Sequence, residues 1–229
     1  MDIIRKLTEE LGVQRWQAEA AVKLIDEGNT IPFIPRYRKE ATGSLNDEVL
    51  RNLHERLTYL RGLENKKNQV LGSIQEKGKL TEELKAQILA AETLVAVDDL
   101  YRPYRPKRRT RATIAKEKGL DGLADVIRLQ LTKKPLEEEA VAYLSEEKGV
   151  LTTADAIAGA GDILAEAISD EADYRSYIRK ATLDEGQLLS EAKDEKAQTV
   201  YEMYYHYEEP VKKAAGHRIL ALNRGEAEK

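Results

Sequence analysis

The 229-residue chain has no cysteine, one phenylalanine, one tryptophan and three histidines. Without thiols there can be no disulfide framework, no thiolate metal site and no cysteine nucleophile, and a reducing cytoplasm is the expected compartment. His54, His206 and His217 lie far apart in sequence, and none belongs to a His-Glu-x-x-His zinc pattern or a nucleophile motif. No segment approaches the roughly twenty apolar residues of a membrane helix, and the amino terminus, MDIIRKLTEELG, lacks the apolar run of a signal peptide. Adjacent Asp98 and Asp99 read better as cap or ion-pair partners than as ligands of a divalent ion. These absences leave no catalytic residue, no metal site and no cofactor to expect, and the chain reads as a non-enzyme.

What is abundant is helix-forming. Leucine, alanine, glutamate and lysine dominate, 41% of residues are hydrophobic and 34% charged, so an all-α fold of one large or two small domains is expected. Ile3, Ile4, Leu7 and Leu11 form one helical stripe closed by Gly12. Val13, Trp16, Ala20, Leu24 and Ile25 form a second, closed by Gly28. The pair is helix-turn-helix-like, but Glu19, Asp26 and Glu27 beside Arg15 and Lys23 make a poor DNA-reading face, so two packed helices of a small bundle is the better reading. Pro32 and Pro35 predict a break in regular helix, and Asn46, or Ser44 with Asp47, can cap the next helix. Leu50, Leu53, Leu57, Leu60 and Leu63, then Leu71 and Ile74, predict one long helix of roughly thirty residues, about 45 Å, ending before Gly78.

The hexamer KLTEEL occurs at 6–11 and again at 79–84 with no fixed period around it, which marks shared helix chemistry; Thr81 caps a short helix carrying Leu84, Ile88 and Leu89. Further helices are expected at 114–119, 120–131, from Pro135 to about Gly149, and as a pair from Thr153, with Ile157, Ala160, Leu164 and Ile168 along one face. The Gly159 to Gly161 triplet has no preceding strand and no Lys-Ser/Thr, so close helix packing explains it better than a phosphate loop. Residues 1–195 are read as one helical domain, elongated by its long helix, and 196–229 as a tyrosine-rich helix, a break at Pro210 and the apolar RILAL run.

One segment runs against the overall charge of −4. Residues 100–111, LYRPYRPKRRTR, hold six cations, two tyrosines, two prolines and no acid. Pro103 and Pro106 exclude a regular helix, and in extended chain Tyr101 and Tyr104 alternate with Arg102 and Arg105, while Lys107, Arg108, Arg109 and Arg111 continue the charge. Phosphates attract such cations and bases stack on such rings; six neutralised duplex phosphates would give a log affinity against log salt slope of roughly −5. The alternative is a connecting loop whose arginines pair with acidic helix surfaces.

Four blocks in order, TIPFIPRYRKEATGSL at 30–45, DDLYRPYRPKRRTRATIA at 98–115, AIAGAGDILAE at 156–166 and HRILALNRGE at 217–226, resemble the N-terminal region of Tex, a family of bacterial transcription accessory proteins. One departure is Gly161, where the family pattern leads us to expect an arginine. The resemblance implies a helical region leading into an RNase-H-like domain regarded as lacking nuclease chemistry, then helix-hairpin-helix elements and a C-terminal OB-type RNA-binding domain that supplies the main nucleic-acid grip. This chain is thus expected to be a fragment ending where the RNase-H-like part begins. Its partners would be RNA or DNA, mainly through those absent domains, and the transcription machinery. Its own candidate contacts are Arg36, Arg38 and Lys39 together with Tyr101, Arg102, Tyr104, Arg105, Lys107, Arg108, Arg109 and Arg111. The rival reading is a protein-interaction or architectural module.

Overall fold

The computed structural model describes residues 2–228. The chain folds into two compact units, residues 1–105 and 106–229. Twelve α-helices and one two-stranded sheet are formed among the described residues.

In the first unit, α1 (Ile3–Leu11) starts at Asp2, whose carboxylate accepts from the Arg5 N–H, and stops at Gly12, whose φ of 65° favours a residue without Cβ. Helix α2 (Arg15–Asp26) buries Ala18, Ala21 and Leu24. Trp16 is not on that face. It is 52% exposed, a correction to the stripe read from spacing. The proline-containing block does form one helical turn, α3 (Phe33–Tyr37), because Pro35 lies in the first turn, where a missing N–H leaves no intrahelical bond unmade. Asn46 caps α4 (Asp47–Glu76) by accepting from the Val49 N–H at 2.8 Å.

The 30 residues of α4 are the axis of the unit. Leu50, Leu53, Leu57 and Leu60 pack with Leu7, Ala18, Ala21, Leu24 and Ile34 in one core. Leu63, Val70 and Ile74 pack in a second with Leu84 and Ile88 of α5 (Glu82–Ala90) and Val97 of α6 (Leu94–Tyr101). Each fully buried leucine contributes about 1.5–3 kcal/mol, so the leucine stripe holds both cores together. Thr81 caps α5 through the Leu84 N–H; Leu84 and Ile88 are buried and Leu89 is exposed. Lys67, on the same stripe, is buried and donates from Nζ to the Leu89 carbonyl at 2.6 Å, satisfying an acceptor at the end of α5.

In the second unit, α7 (Arg111–Glu117), α8 (Asp121–Leu129) and α9 (Leu136–Val141) surround α10 (Thr153–Asp170). Their shared core contains Ala112, Ala115, Leu120, Leu123, Ala140, Val150, Ala156, Ala160 and Ile163. The helix expected to run from Pro135 to about Gly149 ends at Val141. A turn then closes on an isolated Ser145 to Val150 bridge, with backbone bonds of 2.9 and 2.8 Å. On α10, Ala160 is buried as expected, but Ile168 is exposed. Helix α11 (Ala172–Glu185) leads into β1 (Gln187–Glu191), which pairs antiparallel with β2 (His206–Pro210) in the register Gln187 to Pro210. The tyrosine-rich segment is therefore not a helix: a 3-10 turn at Glu202–Tyr204 precedes β2. Alternation explains the strand, since Tyr207 and Glu209 turn inward while His206 and Glu208 stay exposed. Helix α12 (Gly216–Ala227) carries the RILAL run.

Candidate nucleic-acid interface

The basic segment ends the first unit and begins the second, and its two halves fold differently. Its first half continues α6. Tyr101 is the last residue of that helix, Arg102–Tyr104 form a 3-10 turn, and only from Arg105 is the chain extended. The alternating ridge expected of residues 101–105 is thus replaced by a tightening helical end, in which both tyrosines turn toward the second core of the first unit. The Tyr101 hydroxyl is 2.9 Å from the Ser73 hydroxyl, and Lys77 donates to the Tyr104 carbonyl. Arg102 is half-buried. Arg105 Nη2 donates to Asp98 at 2.9 Å, a carboxylate it shares with Lys66 at 3.0 Å, and its guanidinium lies 5.7 Å from the Tyr101 ring centre. Asp98 thus acts as an ion-pair partner.

In the second half, residues 106–110 form neither helix nor strand, and Thr110 caps α7 by accepting from the Thr113 N–H. Lys107 is engaged by Asp170 and, at 3.3 Å, by Glu166; Glu166 also accepts from the Thr110 hydroxyl at 2.8 Å. This is a clamp on the carboxyl-terminal half of α10. The other cations are held loosely. Arg109 meets Glu117 at 2.7 Å with both side chains more than half exposed, and Arg111, 86% exposed, approaches Asp162 only to 3.5 Å. Exposed pairs of this kind contribute about 0–1 kcal/mol and are readily exchanged for another anion. Arg108 is exposed and has no carboxylate partner among the described residues.

A second group of cations lies on the first unit at the end of α3. Arg36, Arg38 and Lys39 are exposed. Arg38 donates to the Tyr37 carbonyl at 3.2 Å and places its guanidinium 5.5 Å from the Phe33 ring centre, while Arg36 and Lys39 have no carboxylate partner among the described residues. The turn beyond them is closed by backbone hydrogen bonds: Thr42 N–H bonds to the Arg38 carbonyl at 3.3 Å and Ser44 N–H to the Lys39 carbonyl at 2.8 Å. Gln17 of α2 donates to the Thr42 and Gly43 carbonyls and ties the turn to α2. Two exposed rings accompany this segment and its turn: Tyr37, 66% exposed, lies between Arg36 and Arg38 in the chain, and Trp16 packs on Gly43. Sequence reasoning assigned Trp16 to the core. The signal that corrects it is its offset from the Ala18, Ala21, Leu24 spacing.

Two family models match the chain: the Tex-like protein N-terminal domain over residues 1–75 and the Tex central region-like family over residues 131–229. The chain belongs to the Tex family. It is 44% identical over 233 residues to "Transcriptional accessory protein Tex" of Neisseria gonorrhoeae, covering 100% of this chain and 30% of that protein. It is 45% identical over 227 residues to "Uncharacterized protein YdcI" of Bacillus subtilis, covering 98% of this chain and 32% of the relative. A more distant relative, "S1 RNA-binding domain-containing protein 1" of Homo sapiens, is 29% identical over 235 residues, covering 98% of this chain and 23% of the relative. The chain thus spans about a third or less of the curated relatives it matches. Arg36, Arg38 and Lys39 fall inside the first matched Tex region, whereas the basic segment lies between the two.

Proposed function

We propose that this chain is a non-enzymatic helical scaffold of a Tex-like transcription accessory protein, working in the cytoplasm beside the transcription machinery. It contributes cationic nucleic-acid contacts of its own, secondary to those of other parts of the full-length protein. The contacts are Arg36, Arg38 and Lys39 on the first unit and Arg108, Arg109 and Arg111 on the second. One observation carries this reading: in an acidic chain, Arg36, Lys39 and Arg108 stand exposed without a carboxylate partner among the described residues, although 41 acidic residues are available to pair with 37 lysines and arginines. Within each unit, neighbouring cations left in water repel, and an oligoanion relieves that repulsion while releasing its counterions. The relative named for an S1 RNA-binding domain supports RNA as a ligand of the full-length protein.

Tyr101, Tyr104, Arg102, Arg105 and Lys107 are assigned a supporting role, fixing the start and end of the basic segment. The architectural reading is favoured by those same residues, because Arg105 and Lys107 pair with Asp98, Glu166 and Asp170. The two readings separate in a binding titration of labelled RNA and DNA oligonucleotides across salt. Contact through the three cations of either unit predicts a log–log salt slope of roughly −2 on a single strand. The double variant Arg36→Glu, Lys39→Glu and the triple variant Arg108→Glu, Arg109→Glu, Arg111→Glu should each weaken binding and flatten that slope with helicity unchanged. A parent chain that binds neither nucleic acid at low salt leaves the architectural role alone standing.

A further inference from the structure

Trp16 and Tyr37 are large aromatic side chains left in solvent on a unit that has two apolar cores to receive them. Tryptophan is usually well covered in folded chains, and exposed rings grouped with charge mark contact surfaces. Trp16 is also held in place. A Cβ on Gly43 would lie 2.4 Å from Trp16 Cη2 and 2.9 Å from Cζ2, so the edge of the indole rests directly on the Gly43 backbone, which is itself in the left-handed region at φ 60°. The bond from Ser44 N–H to the Lys39 carbonyl and that from Gly43 N–H to the Glu40 carbonyl fold this turn back onto the residues that carry the cations. Tyr37 lies between Arg36 and Arg38 in the chain, its ring centre 4.9 Å from that of Phe33. The charges around the rings favour an anion. Arg36, Arg38 and Lys39 outnumber the one nearby acid of the turn, Glu40, and on α2 Glu19 is paired with Arg15 at 2.8 Å, which also reaches Asp2.

We propose that Trp16 and Tyr37 are stacking platforms for unpaired bases, with Arg36, Arg38 and Lys39 holding the adjoining phosphates, so that this turn is a binding site for single-stranded nucleic acid. The proposal rests on the nucleic-acid reading above and sharpens it to one strand type. A flat ring beside cations accepts any base whose face is free, whereas in a duplex each base face is already covered by its neighbours. Ribose and deoxyribose strands share this chemistry, and the test carries one of each.

Trp16 is the chain's single tryptophan, so its emission reports this site alone. The chain would be titrated at low salt with oligouridine and oligothymidine of about twelve nucleotides, within the range of single-strand sites, and with a duplex of the same length. Binding would be followed both by Trp16 emission and by the anisotropy of a labelled strand. Single strands should quench Trp16 and the duplex should not. Trp16→Leu and Tyr37→Ala should each weaken single-strand binding by roughly 5- to 150-fold, the equivalent of losing one stacked base, with thermal unfolding unchanged. If single strands bind and Arg36→Glu, Lys39→Glu weakens them, yet Trp16 is not quenched and both ring variants bind like the parent, stacking is refuted while the cationic contact stands. Duplex binding that equals single-strand binding also refutes it. No binding by the parent removes both readings and leaves the surface to a protein partner. Should Trp16→Leu fail to fold, parental quenching together with Tyr37→Ala decides.

Discussion

Two glycines flank Ala160 on α10, and the structure assigns their replacement opposite signs. At Gly159 an added Cβ would lie 2.4 Å from Leu120 Cδ1 and 3.4 Å from Ala115 Cβ; at Gly161 it would meet nothing within 4 Å. Both positions are interior to an 18-residue helix, so Gly→Ala gains about 1 kcal/mol at each from helix propensity. At Gly161 that gain stands unopposed. At Gly159 the new methyl must displace Leu120, which is 1% exposed and enclosed by the core of the unit, and overpacking of this kind costs about 1–3 kcal/mol. Gly161→Ala should therefore stabilise the chain by about 0.5–1 kcal/mol, and Gly159→Ala should fall about 1–3 kcal/mol below it. Urea unfolding followed by far-UV circular dichroism, with equal m-values in the three proteins, measures both. Gly159→Ala as stable as Gly161→Ala would show that α10 does not approach Leu120 closely, and the packing account of the Gly-Ala-Gly triplet would fail with it.

Burial holds the Lys67 ammonium below the ordinary lysine range. Its folded pKa being lower than its unfolded one, the folded state binds fewer protons between the two, and stability should rise with pH across that alkaline window; the rise should be absent in Lys67→Met, while Lys67→Ala should lose about 2–4 kcal/mol to the cavity and the orphaned Leu89 carbonyl. At the acidic end, Arg61 donates to both Asp26 oxygens at 2.7 and 2.8 Å and holds that carboxyl below its usual range. The resulting stability is complete above the unfolded Asp value of about 3.9 and is lost as pH falls through the folded one. Because both side chains are nearly half exposed it amounts to no more than about 1 kcal/mol, and Asp26→Asn should reduce the acid-limb slope in pH-dependent thermal unfolding.

Where local chemistry decided the outcome, the helices of this chain were legible. Asn46 and Thr81 each cap the helix their residue type and position announced, and the buried stripe of α4 runs from Leu50 to Ile74. The misreadings have a common origin in contacts that spacing does not encode. Residues 201–209 have enough tyrosine and glutamate to suit a helix, yet pairing with Gln187–Glu191 supplies backbone bonds to an extended chain. Such pairing is non-local, and a single-chain periodicity contains no trace of its partner. In the same way Val13, Ala20 and Leu24 share the apparent stripe of Trp16, but the backbone of Gly43 occupies one edge of the indole and leaves the rest in water.

The basic segment shows why composition alone could not separate an anion-binding ridge from a clamp. Its cations are alike in sequence, and their environments differ because each carboxylate lies elsewhere in the chain: Asp98 is seven residues before Arg105, while Glu166 and Asp170 reach Lys107 from α10. A side chain already paired with a half-buried carboxylate must break that pair to grip a phosphate, and the carboxylate left behind repels the same phosphate; an exposed arginine with no such partner loses only water. Arg108 therefore has the advantage over Lys107, its immediate neighbour, although both carry one charge. Charge reversal confined to Arg105 and Lys107 would damage the fold and the binding together and distinguish nothing, whereas reversal at Arg36, Lys39 and Arg108 removes attraction for a polyanion from a framework that does not depend on those three.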